Sequence, residues 1–149
     1  MRSFSAGELQ AGVAPPGESN SAGVSGMKLR DLMQLLEADL IVGDEKLDLD
    51  IQKAFAADLM SDVLAFAGEG GVLLTGLTNA QVVRTAEMVD ISAILFVRGK
   101  RPQPEAVELA KASGIPLLST RYIMYETCGR LYQHGIVGSK VKVKGENLL

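Results

Sequence analysis

Apolar positions along the chain fall into two rhythms, one helical and one alternating or continuous. Leu29, Leu32, Met33, Leu35 and Leu36 keep the spacing of one helix face and predict a helix over 28–37. Asp39-Leu40-Ile41-Val42 then reads as a short strand closed by the turn pair Gly43-Asp44. From Leu47 to Asp58 the signals compete. Leu47, Leu49 and Ile51 alternate with charged residues as in a half-buried strand, whereas Ala54 to Ala57 also suits a helix; a strand inside 50–56 is expected. Met60 to Ala67 reads as a short helix, with Asp58 or Ser61 near its start to accept free backbone N–H groups and Gly68, Gly70 and Gly71 ending it.

The second half is more regular. Gly71 to Thr75 is a near-continuous apolar run, as expected of a strand covered on both faces. Thr78-Asn79 offers cap residues for a helix over 79–88 whose apolar side holds Val82, Val83, Ala86 and Met88. Ile91 to Val97 is the next strand, Gly99 to Pro104 a loop, and Glu105 to Ser113 a helix with Gly114 as a left-handed cap. Ile115 to Leu118 is a third strand and Arg121 to Gln133 a third helix, stopped before Gly135.

Three consecutive strand-to-helix units with short connections predict a parallel sheet, and right-handed crossovers place helices on its faces. The expected fold is a three-layer α/β/α domain with a mainly parallel sheet, extended at one side by the earlier strands. That extension makes the sheet mixed, because the turn between Leu40–Val42 and Asp50–Ala56 is too short for a helical crossover.

Residues 1–26 are rich in Ser, Gly, Ala and Pro with no apolar period, and read as a flexible leader. The domain is assigned to 27–137 and a basic tail to 138–149, where Lys140, Lys142 and Lys144 face one acidic residue, Glu146. A length of 149 residues suits one domain. No apolar run approaches the ~18–20 residues of a membrane helix. The first residues lack the charged start and apolar block of a secretory signal, so a cytoplasmic protein is expected. The 15 Lys and Arg against 18 Asp and Glu give −3, which argues against a nucleic-acid footprint. One cysteine, Cys128, and one histidine, His134, leave neither a disulfide nor a Cys/His zinc set.

In open α/β sheets the ligand crevice lies beyond the carboxyl ends of the strands. Three loops share that position, and the residues expected to contact a ligand there are Thr75, Gly76, Thr78 and Asn79 in the first, Arg98, Gly99 and Arg101 in the second, and Ser119, Thr120 and Tyr122 in the third. Hydroxyls, free N–H groups and cations donate to oxygen, which suits a small anion such as a phosphate or carboxylate. As ordinary caps and a solvated basic loop, the same residues would have no such role.

Enzyme chemistry finds no support in the motifs. The chain lacks G-x-x-x-x-G-K-[ST], and its glycine cluster at Gly68-Glu69-Gly70-Gly71 precedes a strand instead of following one. Cys128 and His134 are six apart, which points them to different helix faces. His134 near a helix C-terminus reads as a dipole partner, and Cys128 as a small buried thiol. No catalytic residue, cofactor or metal is expected. Tyr122, Tyr125 and Tyr132 share the last helix, and Tyr125 and Tyr132, seven apart and so on one face, form a stripe that reads as core or as an oligomer contact.

With these units placed, residues Met27 to Ile136 resemble a DRTGG domain. The carrying stretches are Asp58-Leu59-Met60-Ser61, Val72-Leu73-Leu74-Thr75-Gly76-Leu77-Thr78-Asn79, Ala93 to Pro102, and Gly114-Ile115-Pro116-Leu117-Leu118-Ser119-Thr120-Arg121-Tyr122. The literal D-R-T-G-G string is absent. The resemblance implies a fold like the N-terminal domain of HPr kinase/phosphorylase. Such domains occur beside CBS modules and before phosphotransacetylase catalytic domains, and stand-alone members lie near genes for iron hydrogenases and signalling kinases. The role it implies is regulatory or ligand-sensing; together with the strand-end loops and the missing catalytic motifs, the expectation is a non-enzymatic domain that binds a small anionic metabolite or nucleotide. The alternative is an interaction or oligomerisation module that forms a homodimer or docks a partner enzyme, and no nucleic acid or membrane is implied as a partner.

Overall fold

The structure, a computed structural model, describes residues 26–145. The expected leader therefore lies outside the described residues except at Gly26, as does the tail beyond Gly145. Along the chain come β1 (Met27–Lys28), α1 (Leu29–Leu35), β2 (Asp39–Val42), a short 3-10 turn (Asp44–Lys46), β3 (Asp50–Ile51), β4 (Lys53–Ala56), α2 (Met60–Phe66), β5 (Val72–Thr75), α3 (Ala80–Met88), β6 (Ala93–Phe96), α4 (Pro104–Ser113), β7 (Leu117–Ser119), α5 (Met124–Gln133) and β8 (Val137–Gly138).

Strands β4, β5, β6 and β7 lie side by side in chain order and all run parallel. Strand β8 adds in parallel outside β4, and β2 pairs antiparallel with β7 at the other edge. Topology then decides the layers. Right-handed crossovers that step in one direction put α2, α3 and α4 on one face, and the return from β7 to β8 carries α5 across the other. The core divides accordingly. Val63, Val82, Val83, Ala86, Ala106 and Ala110 pack with Leu73, Ile94, Phe96 and Leu117 on the first face. Leu29, Leu32, Leu36 and Leu131 pack with Val72, Leu74, Leu95 and Leu118 on the second. Alternate residues of each strand serve opposite cores, which is why these strands read as continuous apolar runs.

The expected mainly parallel, mixed α/β/α sheet is what forms. Its edges differ from expectation. The earlier strands do not extend one side together: β2 closes the β7 edge, while β4 joins β5 near the opposite edge. The stretch 50–56 holds two strands, because β3 leaves the sheet to pair with β1, Met27 opposite Ile51 and Lys28 opposite Asp50. That two-stranded ribbon buries Ile51 in the second core. The expected helix from Arg121 starts at Met124, since Tyr122 and Arg121 belong to a loop bonded to its neighbours. Strand β7 starts two residues later than predicted, after Pro116, and ends one later, at Ser119. Gly114 caps α4 at φ 72, as read from the sequence.

Candidate functional site

Because β4 to β7 are parallel neighbours, the loops at their carboxyl ends share one edge of the sheet. The first begins at Asp58. Its Oδ1 accepts from the Thr75 hydroxyl at 2.9 Å and from the Gly76 N–H at 2.8 Å. Thr75 Oγ1 in turn accepts from the Leu77 N–H at 3.2 Å. Asp58 therefore does not cap α2, whose start at Leu59 has no side-chain cap, nor does Ser61; the carboxylate reaches sideways to the loop after β5. Sequence reasoning confined the crevice to three loops and left Asp58 out. The strand-end rule applied to β4 as well would have found it.

Arg98 joins the remaining loops. Its backbone sits at φ 60, a conformation that side chains adopt at a cost of about 1–2 kcal/mol. Two hydrogen bonds hold it there, Arg98 N–H to the Tyr122 carbonyl at 2.9 Å and Gly99 N–H to the Thr120 carbonyl at 2.8 Å. The guanidinium then crosses to the loop after β5, where Nη2 would lie 2.7 Å from a Cβ placed on Gly76. Glycine at position 76 is thus what lets the guanidinium lie against the backbone. The Thr78 carbonyl accepts from the Gln103 N–H at 2.9 Å, binding the start of α4 to the same edge.

The hydroxyls are already engaged inside the protein. Besides Thr75, Ser119 Oγ donates to the Lys100 carbonyl at 2.7 Å. Thr120, 1% exposed, donates to the Leu36 carbonyl at 2.6 Å and accepts from the Tyr122 N–H at 3.2 Å. The Tyr122 hydroxyl meets Glu37 at 2.6 Å, and Arg130 stacks on its ring at 4.1 Å. Arg101 is turned to Asp39 on β2 at 2.5 Å. Asn79 stands at the N-cap of α3 without a side-chain cap bond. The ten expected residues therefore share one edge, but most of their polar atoms tie the loops together. Exposed Arg98, Lys100 and Arg121 remain, and none of them forms an ion pair with a described residue.

His134 caps α5, its Nδ1–H donating to the Arg130 carbonyl at 2.9 Å. Cys128 is half-buried, and burial pushes its thiol above the usual range. No three His, Cys, Asp or Glu side chains among the described residues are grouped to hold a metal ion. No described helix is long and apolar enough to cross a membrane.

A family model, the DRTGG domain, matches residues 31–134. The chain belongs to the DRTGG domain family. No curated protein matches it. Among solved structures it is similar to the CBS and DRTGG domains of the regulatory region of Clostridium perfringens pyrophosphatase, complexed there with the activator diadenosine tetraphosphate. The identity is 22% and the TM-score 0.60, over 82% of this chain and 52% of that one. The DRTGG chain thus spans about half the length of that regulatory region. At this identity the likeness is one of fold.

Proposed function

We propose that this DRTGG domain is a non-catalytic regulatory module that binds a small phosphate-bearing ligand, of the nucleotide class, at the carboxyl edge of β4 to β7. The observation that carries the reading is the set of three cations, Arg98, Lys100 and Arg121, at that edge without carboxylate partners among the described residues. Arg30, Arg101 and Arg130 each have a carboxylate within reach. A cation left without a carboxylate partner beside exposed backbone is a ready donor to phosphate oxygens.

Asp58 refines the ligand class. One of its oxygens is used by Thr75 and Gly76, and the other has no hydrogen-bond partner among the described residues. A bare anion would gain nothing from that acceptor. A nucleotide offers both groups, phosphate for the cations and ribose hydroxyls for the carboxylate. The nucleotide activator in the pyrophosphatase regulatory region supports a ligand-responsive role. Because that region also contains CBS domains, its support extends to regulation and not to the position of the ligand.

Calorimetric titration of the full chain with ATP, ADP, AMP, diadenosine tetraphosphate and inorganic phosphate tests the reading. A nucleotide should bind saturably, at least tenfold tighter than phosphate, and Arg98→Ala should weaken it at least tenfold. No binding by any of the five, or equal binding by Arg98→Ala, overturns it.

A further inference from the structure

The outer face of α5 carries exposed aromatic side chains. Tyr125 is 88% exposed and Tyr132 51%, so this stripe is not core. Between them on the same face stand Cys128 and Gly129, completing the i, i+3, i+4, i+7 series. Gly129 is the anomaly. A glycine inside a helix weakens it relative to alanine, and nothing among the described residues requires one here, since a Cβ at this position would meet none of their atoms within 4 Å. The missing side chain leaves space only on the outside. Space of that kind between two exposed tyrosines lets a second helix approach closely.

We propose that α5 is the homodimer interface of this protein, two copies crossing at Gly129 about a two-fold axis. Its charge selects a second copy over an unrelated partner. A two-fold contact sets one patch against itself, so any net charge on it repels its own image. Here Tyr125, Cys128, Gly129 and Tyr132 carry none, and the nearby charges Glu126 and Arg130 already neutralise each other at 3.0 Å. The stripe also runs into a small apolar cleft lined by Tyr132, Cys128, Leu131, Ala56 and Val137, at the sheet edge where β8 ends. Tyrosines bury roughly 150–250 Å² each. The exposed parts of four of them give on the order of 500 Å², close to half of the ~1,200 Å² at which specific interfaces begin. The cleft supplies apolar surface beside them. The expected dimer is therefore of moderate affinity. This inference does not rest on the ligand reading, because Tyr125, Cys128, Gly129 and Tyr132 are not among the residues assigned to the ligand.

Sedimentation of the full chain across micromolar to several hundred micromolar concentrations tests it. The wild type should show a monomer–dimer equilibrium, and Gly129→Leu should shift it at least tenfold towards monomer. The thermal midpoint of that variant, measured at a concentration where both proteins are monomeric, should stay level or rise, because the leucine enters open space. Should it fall, Tyr125→Ser carries the same test from an exposed position. A wild type that stays monomeric throughout overturns the proposal. So does a dimer that both variants leave unchanged.

Discussion

The carboxylate of Asp58 accepts a hydrogen bond from the hydroxyl of Thr75 at 2.9 Å, fixing the loop after β4 to the end of β5. The same oxygen takes the Gly76 N–H, so one side chain satisfies two donors, one on the fully buried Thr75. Asp58→Ala would leave both unpaired and should cost about 1–3 kcal/mol. Asp58→Asn keeps an acceptor oxygen and should cost less than about 1 kcal/mol. Urea unfolding of the two variants checks the difference.

Thr120 and Leu36 form a second cross-chain link. The Thr120 hydroxyl donates to the Leu36 carbonyl at 2.6 Å across 84 residues, joining the end of α1 to the loop after β7. Thr120→Val preserves shape but strands that carbonyl, and should cost about 1–2 kcal/mol. Thr120→Ser retains the donor and should recover at least half of the loss, read from denaturant midpoints.

Gly76 separates binding from stability. Its backbone does not need positive φ, and the atom a new Cβ would meet is the far end of the Arg98 side chain. Gly76→Ala should therefore change stability by less than about 1 kcal/mol while displacing the guanidinium. Nucleotide affinity should fall several-fold at an unchanged thermal midpoint, by calorimetry and thermal melting.

What was legible in the sequence follows from the range of the forces involved. The runs at Val72–Thr75, Ala93–Phe96 and Leu117–Ser119 announce their burial on both faces locally, and the layered fold follows from them. The pairing of β2 with β7 depends on contacts from Asp39–Ser119 to Val42–Leu117, far apart in sequence and set by the finished sheet. The split between β3 and β4 is equally non-local, because Ile51 finds its partner in Met27. In the candidate site, the shared edge was readable from strand order. The internal use of the Thr75, Ser119 and Thr120 hydroxyls was not, since residue type does not say which partner a hydroxyl finds. Asp58 was hidden for the same reason, its local spacing suggesting a helix cap.

Cys128 gives a pH test. Burial raises its pKa, so at any pH below that value it holds less thiolate than a free cysteine and should alkylate more slowly at neutral pH. The unfolded chain ionises first as pH rises. The stability contributed by the buried neutral thiol is therefore fully present below the unfolded pKa and lost as pH rises through the folded one. Cys128→Ser should flatten that alkaline decline, measured by denaturant unfolding across the range.

Nuclear magnetic resonance of the isotopically labelled full chain during titration with ADP tests the central claim most directly. Backbone amide shifts should centre on Gly76, Arg98 to Lys100 and Arg121, the loops that close the carboxyl edge of the sheet. Shifts centred on the opposite end of the sheet, at Lys46, Asp90 and Gly114, or none at saturating ADP, would contradict it.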